Sequence, residues 1–350
     1  MGDKLGIVDS KLWKSDKPFV IAEMSGNHNG SIDRALSIIE HAAEAGASAV
    51  KFQTYTPDTM TLDGPQEHFR ISNPDSLWQS RRLYDLYSEA STPWEWHEAL
   101  FEKARSLGIV PFSTPFDASA VSFLENLDAE VYKIASFENT DLPLIAEVSK
   151  TGKPVIISIG LASLTEIQEA VQTARDNGCE DLALLKTTSA YPARPEEANL
   201  ATIPKMIELF GCTVGISDHT LGNGVSIAAV GLGAKIIEKH LTLSREDGGV
   251  DSQFSCNPEE LARLVEEAGQ AFRARGGVFF GPTKREEASL MFRRSIFAIR
   301  PIRQGELFTA ENTRILRPNV GMQPKRITEV LGKVALHDFE PGDPVQQEDI

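Results

Sequence analysis

The sequence predicts an α/β fold: a (β/α)8 barrel of the TIM type followed by a small β-rich domain. Eight short apolar runs between residues 19 and 243 alternate with amphipathic segments, and the texture changes beyond residue 281. Near-continuous apolar, β-branched runs suit strands buried on both faces of a parallel sheet. Eight strand–helix units in roughly 260 residues match the size of such a barrel.

The strand-like runs are FVIAEMS (19–25), AVKFQTY (49–55), IVPFSTPF (109–116), VYKIAS (131–136), PVIISIG (154–160), LALLKTTS (182–189), TVGISDHT (213–220) and KIIEKHLTL (235–243). Helical patterns lie between them. Residues 31–46 open on a Ser cap and close on Gly46. Residues 163–178 open on Ser163 with Glu166 three places on, a capping box, and end at Gly178. The connection 56–108 is longer than a normal one and holds LWQSRRLYDLYSEASTPWEWHEAL (77–100), with three of the four Trp. An insertion after a strand lies on the active-site face of a barrel. Its aromatics are therefore expected either as a lid or sugar platform, or as a helix packed on the barrel.

GPTKREEASLMFRRS (281–295) reads as a charged linker with a helical start. Beyond it, IRQGELFTAEN (302–312) and FEPGDPVQQED (339–349) form a weak repeat that matches Gly305 with Gly342, Glu306 with Asp343, Phe308 with Val345 and Glu311 with Glu348. Each copy is hairpin-like. The expected division is a barrel over 1–280, a linker over 281–293 and a small domain over 294–350. A domain that small has a limited core and often leans on a partner.

Composition narrows the function. Of 350 residues, 41% are hydrophobic, which suits a large core rather than disorder. A net charge of −15 excludes a broad nucleic-acid-binding face. It leaves room for a small anionic substrate held by a few lysines in a cleft. Cys179, Cys212 and Cys256 fit neither a zinc spacing nor a disulfide framework, which points to a reducing cytoplasm. The N-terminal residues carry charges where a signal peptide needs its apolar run, and Gly6 stands where a myristoylation signal needs Ser or Thr. No run approaches the length of a membrane span, so no membrane partner is expected. There is no Walker loop and no GxGxxG after a strand.

Barrel chemistry sits at the C-terminal strand ends. Polar residues are dense there: Glu23, Ser25, Asn27 and His28; Lys51, Gln53 and Tyr55; Ser113, Thr114 and Asp117; Lys133, Ser136 and Glu138; Ser158; Lys186, Thr187, Ser189 and Tyr191; Ser217, Asp218 and His219; Glu238, Lys239 and His240. Burying an ammonium without a partner is costly, so Lys51 and Lys133 are expected to face an anion or a carboxylate. Ion pairs with Glu23 or Glu238 are one solution. A cradle for phosphate and carboxylate, completed by Ser136, Ser158 and Ser189, is the other. His219 and His240 end neighbouring strands, where they either hold a divalent metal or make ordinary hydrogen bonds. Lys239 is expected to point away from His240, because side chains alternate along a strand.

The runs IAEMSGNHNG (21–30), VKFQTYTPDTM (50–60), FSTPFD (112–117), YKIASFE (132–138), SAYPA (189–193), ISDHTLG (216–222) and IEKHLTL (237–243) resemble the sialic acid synthase family. The tail from SIFAIRPIRQGELFTAEN onward resembles that family's antifreeze-like (SAF) domain. The likeness covers essentially the whole chain. It implies a manganese-type divalent metal, with Mg2+ or Co2+ as alternatives, on His219 and His240. It implies phosphoenolpyruvate on Lys51, Thr114, Lys133, Ser136, Ser158, Ser189 and Ser217, with Asn27 and Gln53 among the binding groups. Glu23 is implied as the acid or base, with Tyr191 and Asp251 against an N-acetylated amino sugar. The resemblance further implies a homodimer in which the swapped SAF domain brings Arg317 to the sugar's N-acetyl group. Ser189 departs from the Asn of the N-acetylneuraminate synthases.

SGNHNG rather than GINHNG, LYDLYSEASTPWEWH (83–97), YKIASFE rather than KIPSGE, and SAYPA look most like the family's pseudaminate branch. Its acceptor is 2,4-diacetamido-2,4,6-trideoxy-L-altrose. A legionaminate or N-acetylneuraminate synthase is the alternative. A condensing barrel for a phosphorylated aldose would need further Arg or Lys and has no use for the tail. A non-catalytic carbohydrate- or ice-binding protein has no use for the strand-end lysines and histidines.

Overall fold

A computed structural model of the chain describes Trp13 and residues 17–350. The N-terminal targeting expectations fall on residues outside that range. Eight parallel strands close into a barrel in sequence order. They are β1 (Phe19–Glu23), β2 (Ala49–Thr54), β3 (Val110–Pro115), β4 (Tyr132–Ile134), β5 (Val155–Ser158), β6 (Leu182–Thr187), β7 (Thr213–Ser217) and β8 (Ile236–His240). Closure comes from β1 pairing with β8, where Glu23 stands opposite His240. Each strand-like run in the sequence contains one of them.

A barrel helix follows each strand, at Ile32–Glu44, His97–Ser106, Ala118–Glu125, Leu142–Ser149, Leu164–Asp176, Thr202–Phe210, Gly224–Gly231 and Pro258–Arg275, and the β2–β3 connection adds the short helices Pro57–Met60 and Leu83–Ala90. The caps form as expected: Ser31 accepts from Arg34 N, and Ser163 and Glu166 form a reciprocal capping box. Among described residues no helix is long and apolar enough to cross a membrane.

Side-chain alternation sorts every strand into two sets. Val20, Ala22, Val50, Phe52, Ile134, Ile157, Leu184, Val214 and Ile237 join the core beneath the helices. Phe19, Ile21, Ala49, Phe112, Val131, Ile156, Ala183, Leu185 and Ile236 fill the barrel interior, with Trp13. The inward set turns polar further along each strand. Continuing the same parity gives Glu23, Lys51, Gln53, Thr114, Lys133, Ser158, Ser217, Glu238 and His240. An apolar lower interior thus carries a polar upper layer. Gly215 makes one crowded crossing possible, since a Cβ there would lie 2.4 Å from Ile236 O and 2.7 Å from Leu185 Cδ2.

The chain divides into two compact units, the first ending at Gly276 and the second Gly277–Ile350. The second unit pairs β9 (Ser295–Ala298) antiparallel with β10 (Thr313–Leu316). Its repeat is structural. Gly305 and Gly342 both take positive φ, 90° and 103°. Glu306 accepts from Arg303 N and Asp343 from Glu340 N, three residues back in each copy. Phe308 and Val345 are fully buried. The two copies meet where Ile302 and Phe339 exchange backbone hydrogen bonds of 3.0 and 2.7 Å.

Candidate active site

The upper barrel layer is a buried charge cluster. Lys51 Nζ lies 2.7 Å from Glu23 Oε2 and 3.8 Å from Glu238 Oε1, and Lys133 Nζ lies 4.0 Å from Glu238 Oε2. Hydroxyls complete it: Lys51 donates to Thr114 Oγ1 at 3.2 Å, Lys133 to Ser158 Oγ at 2.6 Å, and Ser217 to Glu238 Oε1 at 3.2 Å. The ion-pair solution is therefore realised, and of the cradle serines Ser158 stands on one of the same lysines.

Burial sets the electrostatics. It pushes the Glu23 carboxyl up to about 7, opposed by Lys51 and reinforced by Glu238. Burial also pulls Lys133 down to about 8, against the attraction of Glu238. For Lys51, burial acts downward, but Glu23 and Glu238 outweigh it and hold its pKa above the ordinary value. Burial acts upward on Glu238 and is outweighed by Lys133, Lys51 and His219. Two carboxylates and two ammonium groups thus face one another in a buried layer.

Beside this quartet, Ser136 and Ser189 face Gly160 after β5. A Cβ on Gly160 would lie 2.2 Å from Ser189 Oγ and 2.7 Å from Ser136 Oγ. Ser136 accepts from Gly160 N at 3.2 Å, while Ser189 Oγ is buried with no hydrogen-bond partner. Buried polar atoms are normally satisfied, so an orphan hydroxyl beside a side-chain-free position marks space for a ligand's acceptor or donor.

On the other side, the rings of His219 and His240 lie 5.4 Å apart. Thr188 O engages His219 Nδ1 at 2.8 Å, and His240 Nδ1 is buried without a partner. Burial keeps both imidazoles below their ordinary pKa, hence neutral near pH 7. Two neutral imidazoles, one oriented by a carbonyl and one with an orphan nitrogen, fit a borderline divalent cation. No group of three or more His, Cys, Asp or Glu surrounds one position among described residues. Such an ion would take its remaining ligands from water or substrate.

Aromatic rings extend outward from the pair. Tyr191 lies 4.4 Å from His219, Phe254 lies 4.9 Å from His240, and Trp78 lies 5.7 Å from Tyr191. Trp78 is anchored by its indole N–H to Val250 O at 2.8 Å. The insertion therefore divides: Trp78 joins the site, whereas Trp94 packs on Phe123 and Trp96 meets His28 edge to face.

Glu23, Lys51, Gln53, Thr114, Lys133, Ser158, Ser217 and His240 meet on the barrel's inward face, with Ser136, Ser189, Tyr191, His219 and Asp251 on the connections that follow. Asn27 is buried and donates to Leu241 O and Ser255 Oγ, both at 2.9 Å, which ties two connections together. Arg317 belongs to the second unit, where it follows β10 and is exposed. Asp117 is an N-cap, accepting from Ser119 N and Ala120 N. Lys239 points away from His240, as alternation requires, and pairs with Asp218 at 3.0 Å. The structure singles out two further groups, Glu138 from the strand-end set and Phe254. Glu138 has a buried, unpartnered Oε2 and is pushed up to about 7 by burial. Phe254 has no signal in the sequence beyond being an isolated aromatic after β8.

Comparison with known proteins identifies the family. The NeuB family model matches residues 38–279 and the SAF domain model residues 293–350. In one strain of Campylobacter jejuni, the pseudaminic acid synthase is 41% identical over 95% of this chain and 96% of its own length. The N,N'-diacetyllegionaminic acid synthase of the same strain is 35% identical, covering 95% of this chain and 99% of its own. The crystal structure of N-acetylneuraminic acid synthetase from Leptospira borgpetersenii, solved with citrate, superposes with a TM-score of 0.70. It is 31% identical, over 78% of this chain and 90% of that one.

Proposed function

The chain belongs to the NeuB family of phosphoenolpyruvate-dependent nonulosonic acid synthases, and from that premise we propose that it makes pseudaminic acid from phosphoenolpyruvate and 2,4-diacetamido-2,4,6-trideoxy-L-altrose. The observation that carries the chemistry is the pair of buried lysines, each flanked by a hydroxyl and a carboxylate, beside two neutral imidazoles. The sugar is supported by the higher identity to the pseudaminic acid synthase than to its legionaminic counterpart. The Trp78–Tyr191–Phe254 wall also suits an acceptor with a C6 methyl group in place of a hydroxyl.

Phosphoenolpyruvate lies on Lys51, Lys133, Thr114, Ser158 and Ser217, with Ser136 and Ser189 taking the oxygens nearest Gly160. Its negative charge takes over from Glu23 and Glu238 as counter-charge to the lysines. Tyr191 and Asp251 hold the open-chain sugar, and Arg317 of a second copy closes on its N-acetyl group in a swapped dimer. A divalent cation on His219 and His240, manganese in the first instance, polarises the aldehyde oxygen when bound.

C3 of phosphoenolpyruvate forms a carbon–carbon bond to the aldehyde carbon while the C=O π pair moves to oxygen, and water adds at C2. Glu23, ionised, takes a proton from that water, and the proton ends on the former aldehyde oxygen as a hydroxyl. Phosphate then leaves as the C2–O bond breaks, and C2 becomes the ketone of the nine-carbon acid. Holding two substrates together supplies much of the acceleration. The enzyme works in the cytoplasm in this reading.

Incubation with both substrates and Mn2+ tests the reading by mass spectrometry. The expected product is one nine-carbon acid and one phosphate per phosphoenolpyruvate consumed. Unchanged substrates with a folded, metal-loaded enzyme overturn it.

A further inference from the structure

Ser25 is buried and has φ of 47°, in the left-handed region that residues with a Cβ rarely occupy. Its hydroxyl occupies a specific place in a polar chain. Gln53 Nε2 donates to Ser25 Oγ at 3.1 Å and to Glu23 Oε1 at 3.1 Å, and Ser25 donates to Asp251 Oδ2. Donor counting fixes the direction. The Gln53 amide has two hydrogens, and both are committed. Ser25 has one hydroxyl hydrogen, and as an acceptor from Gln53 it directs that hydrogen at Asp251. The chain runs Glu23 ← Gln53 → Ser25 → Asp251 and joins two buried carboxylates from opposite ends of the barrel sequence.

Asp251 depends on this arrangement. It is buried, which raises its pKa, and the groups that oppose the rise are the Ser25 hydroxyl and Gly26 N–H. Both are neutral donors, and both come from the turn after β1. The turn is also pressed against the Asp251 segment: a Cβ on Gly26 would lie 2.4 Å from Val250 Cγ2 and 3.2 Å from Ala90 Cβ. Strain persists where the surroundings over-determine it, and such positions cluster at functional sites.

We infer that Ser25 is a positioning residue whose hydroxyl orients the Asp251 carboxylate toward the amino sugar, setting affinity for that substrate and leaving phosphoenolpyruvate binding untouched. This rests on the reading above, in which Asp251 faces the sugar. Removing the hydroxyl leaves the Gln53–Glu23 bond in place, so the loss falls on one substrate.

Steady-state kinetics with each substrate varied in turn test it, on wild type, Ser25→Ala, Ser25→Gly, Asp251→Asn and Ser25→Ala/Asp251→Asn. The expected result for Ser25→Ala is a sugar KM raised about tenfold, with kcat and the phosphoenolpyruvate KM within about threefold of wild type. Ser25→Gly relieves the backbone and lacks the hydroxyl. It should melt no lower than wild type and show the same KM rise, which a merely structural role would not give. Adding Ser25→Ala to Asp251→Asn should change the sugar KM by less than about twofold, since Ser25 acts through Asp251. Wild-type sugar KM in both Ser25 variants, equal effects on the two substrates, or full additivity with Asp251→Asn each overturn the inference alone. A wild-type enzyme that turns over no sugar overturns the functional reading and this inference with it.

Discussion

Lys51 Nζ lies 2.7 Å from Glu23 Oε2, a buried pair on neighbouring strands whose backbones stand in register. Removing one partner of such a pair leaves a buried charge unmatched and costs about 3–5 kcal/mol. Lys51→Met should therefore lower the urea midpoint and reduce kcat/KM for phosphoenolpyruvate by roughly 10²–10³-fold, the loss typical of a preorganised charge-stabilising group. Glu23→Gln/Lys51→Met should recover much of the midpoint and none of the activity. Recovery of both would reduce Lys51 to a structural ion pair.

The pH dependence of kcat/KM reports the free enzyme's groups. Glu23, pushed up to about 7 by burial, accepts a proton only when ionised, so activity should rise through about pH 7. Lys133, pulled down to about 8 by burial, attracts an anion only while protonated, so activity should fall through about pH 8. The profile should be a narrow bell. Glu138, also raised to about 7, is the competing source of the acid limb. Glu138→Gln should keep that limb, and its disappearance would move the proton acceptor from Glu23 to Glu138.

Gly160 is the place where the cradle tolerates no side chain. A methyl group there meets both Ser136 Oγ and Ser189 Oγ below 3.0 Å. Gly160→Ala should raise the phosphoenolpyruvate KM at least tenfold, while overpacking lowers stability by about 1–3 kcal/mol. An unchanged KM would place the ligand's anionic groups elsewhere.

Chelation should stop phosphate release, and added Mn2+ should restore it. His240→Ala should bind Mn2+ more weakly by electron paramagnetic resonance while melting near wild type. Equal affinity in the variant would exclude the imidazole pair as the metal site.

Much of this site is legible in the sequence because barrel parity is simple. Once Phe19 and Ile21 are placed inward, Glu23 follows, and Lys51, Lys133, Ser158 and Glu238 follow on their own strands by the same rule. Ser163 and Glu166 are readable because a capping box is local. The Gln53–Ser25–Asp251 chain is not readable, because Ser25 and Asp251 are 226 residues apart and no local pattern demands their contact. The three Trp of the insertion share one composition signal, yet Trp78 turns to Tyr191 while Trp94 and Trp96 pack on Phe123 and His28. That difference is set by tertiary packing. Asp117 is a strand-end polar group by position and serves as a helix cap, a role that its place before Ala118 also permits.

The most direct test of the central claim is phosphate release from phosphoenolpyruvate with Mn2+, measured in parallel with the trideoxy-L-altrose, the legionaminate precursor and N-acetylmannosamine. The account predicts a kcat/KM for the altrose at least 10²-fold above the other two. A preference for either of the other sugars would contradict the pseudaminate assignment while leaving the condensation chemistry in place.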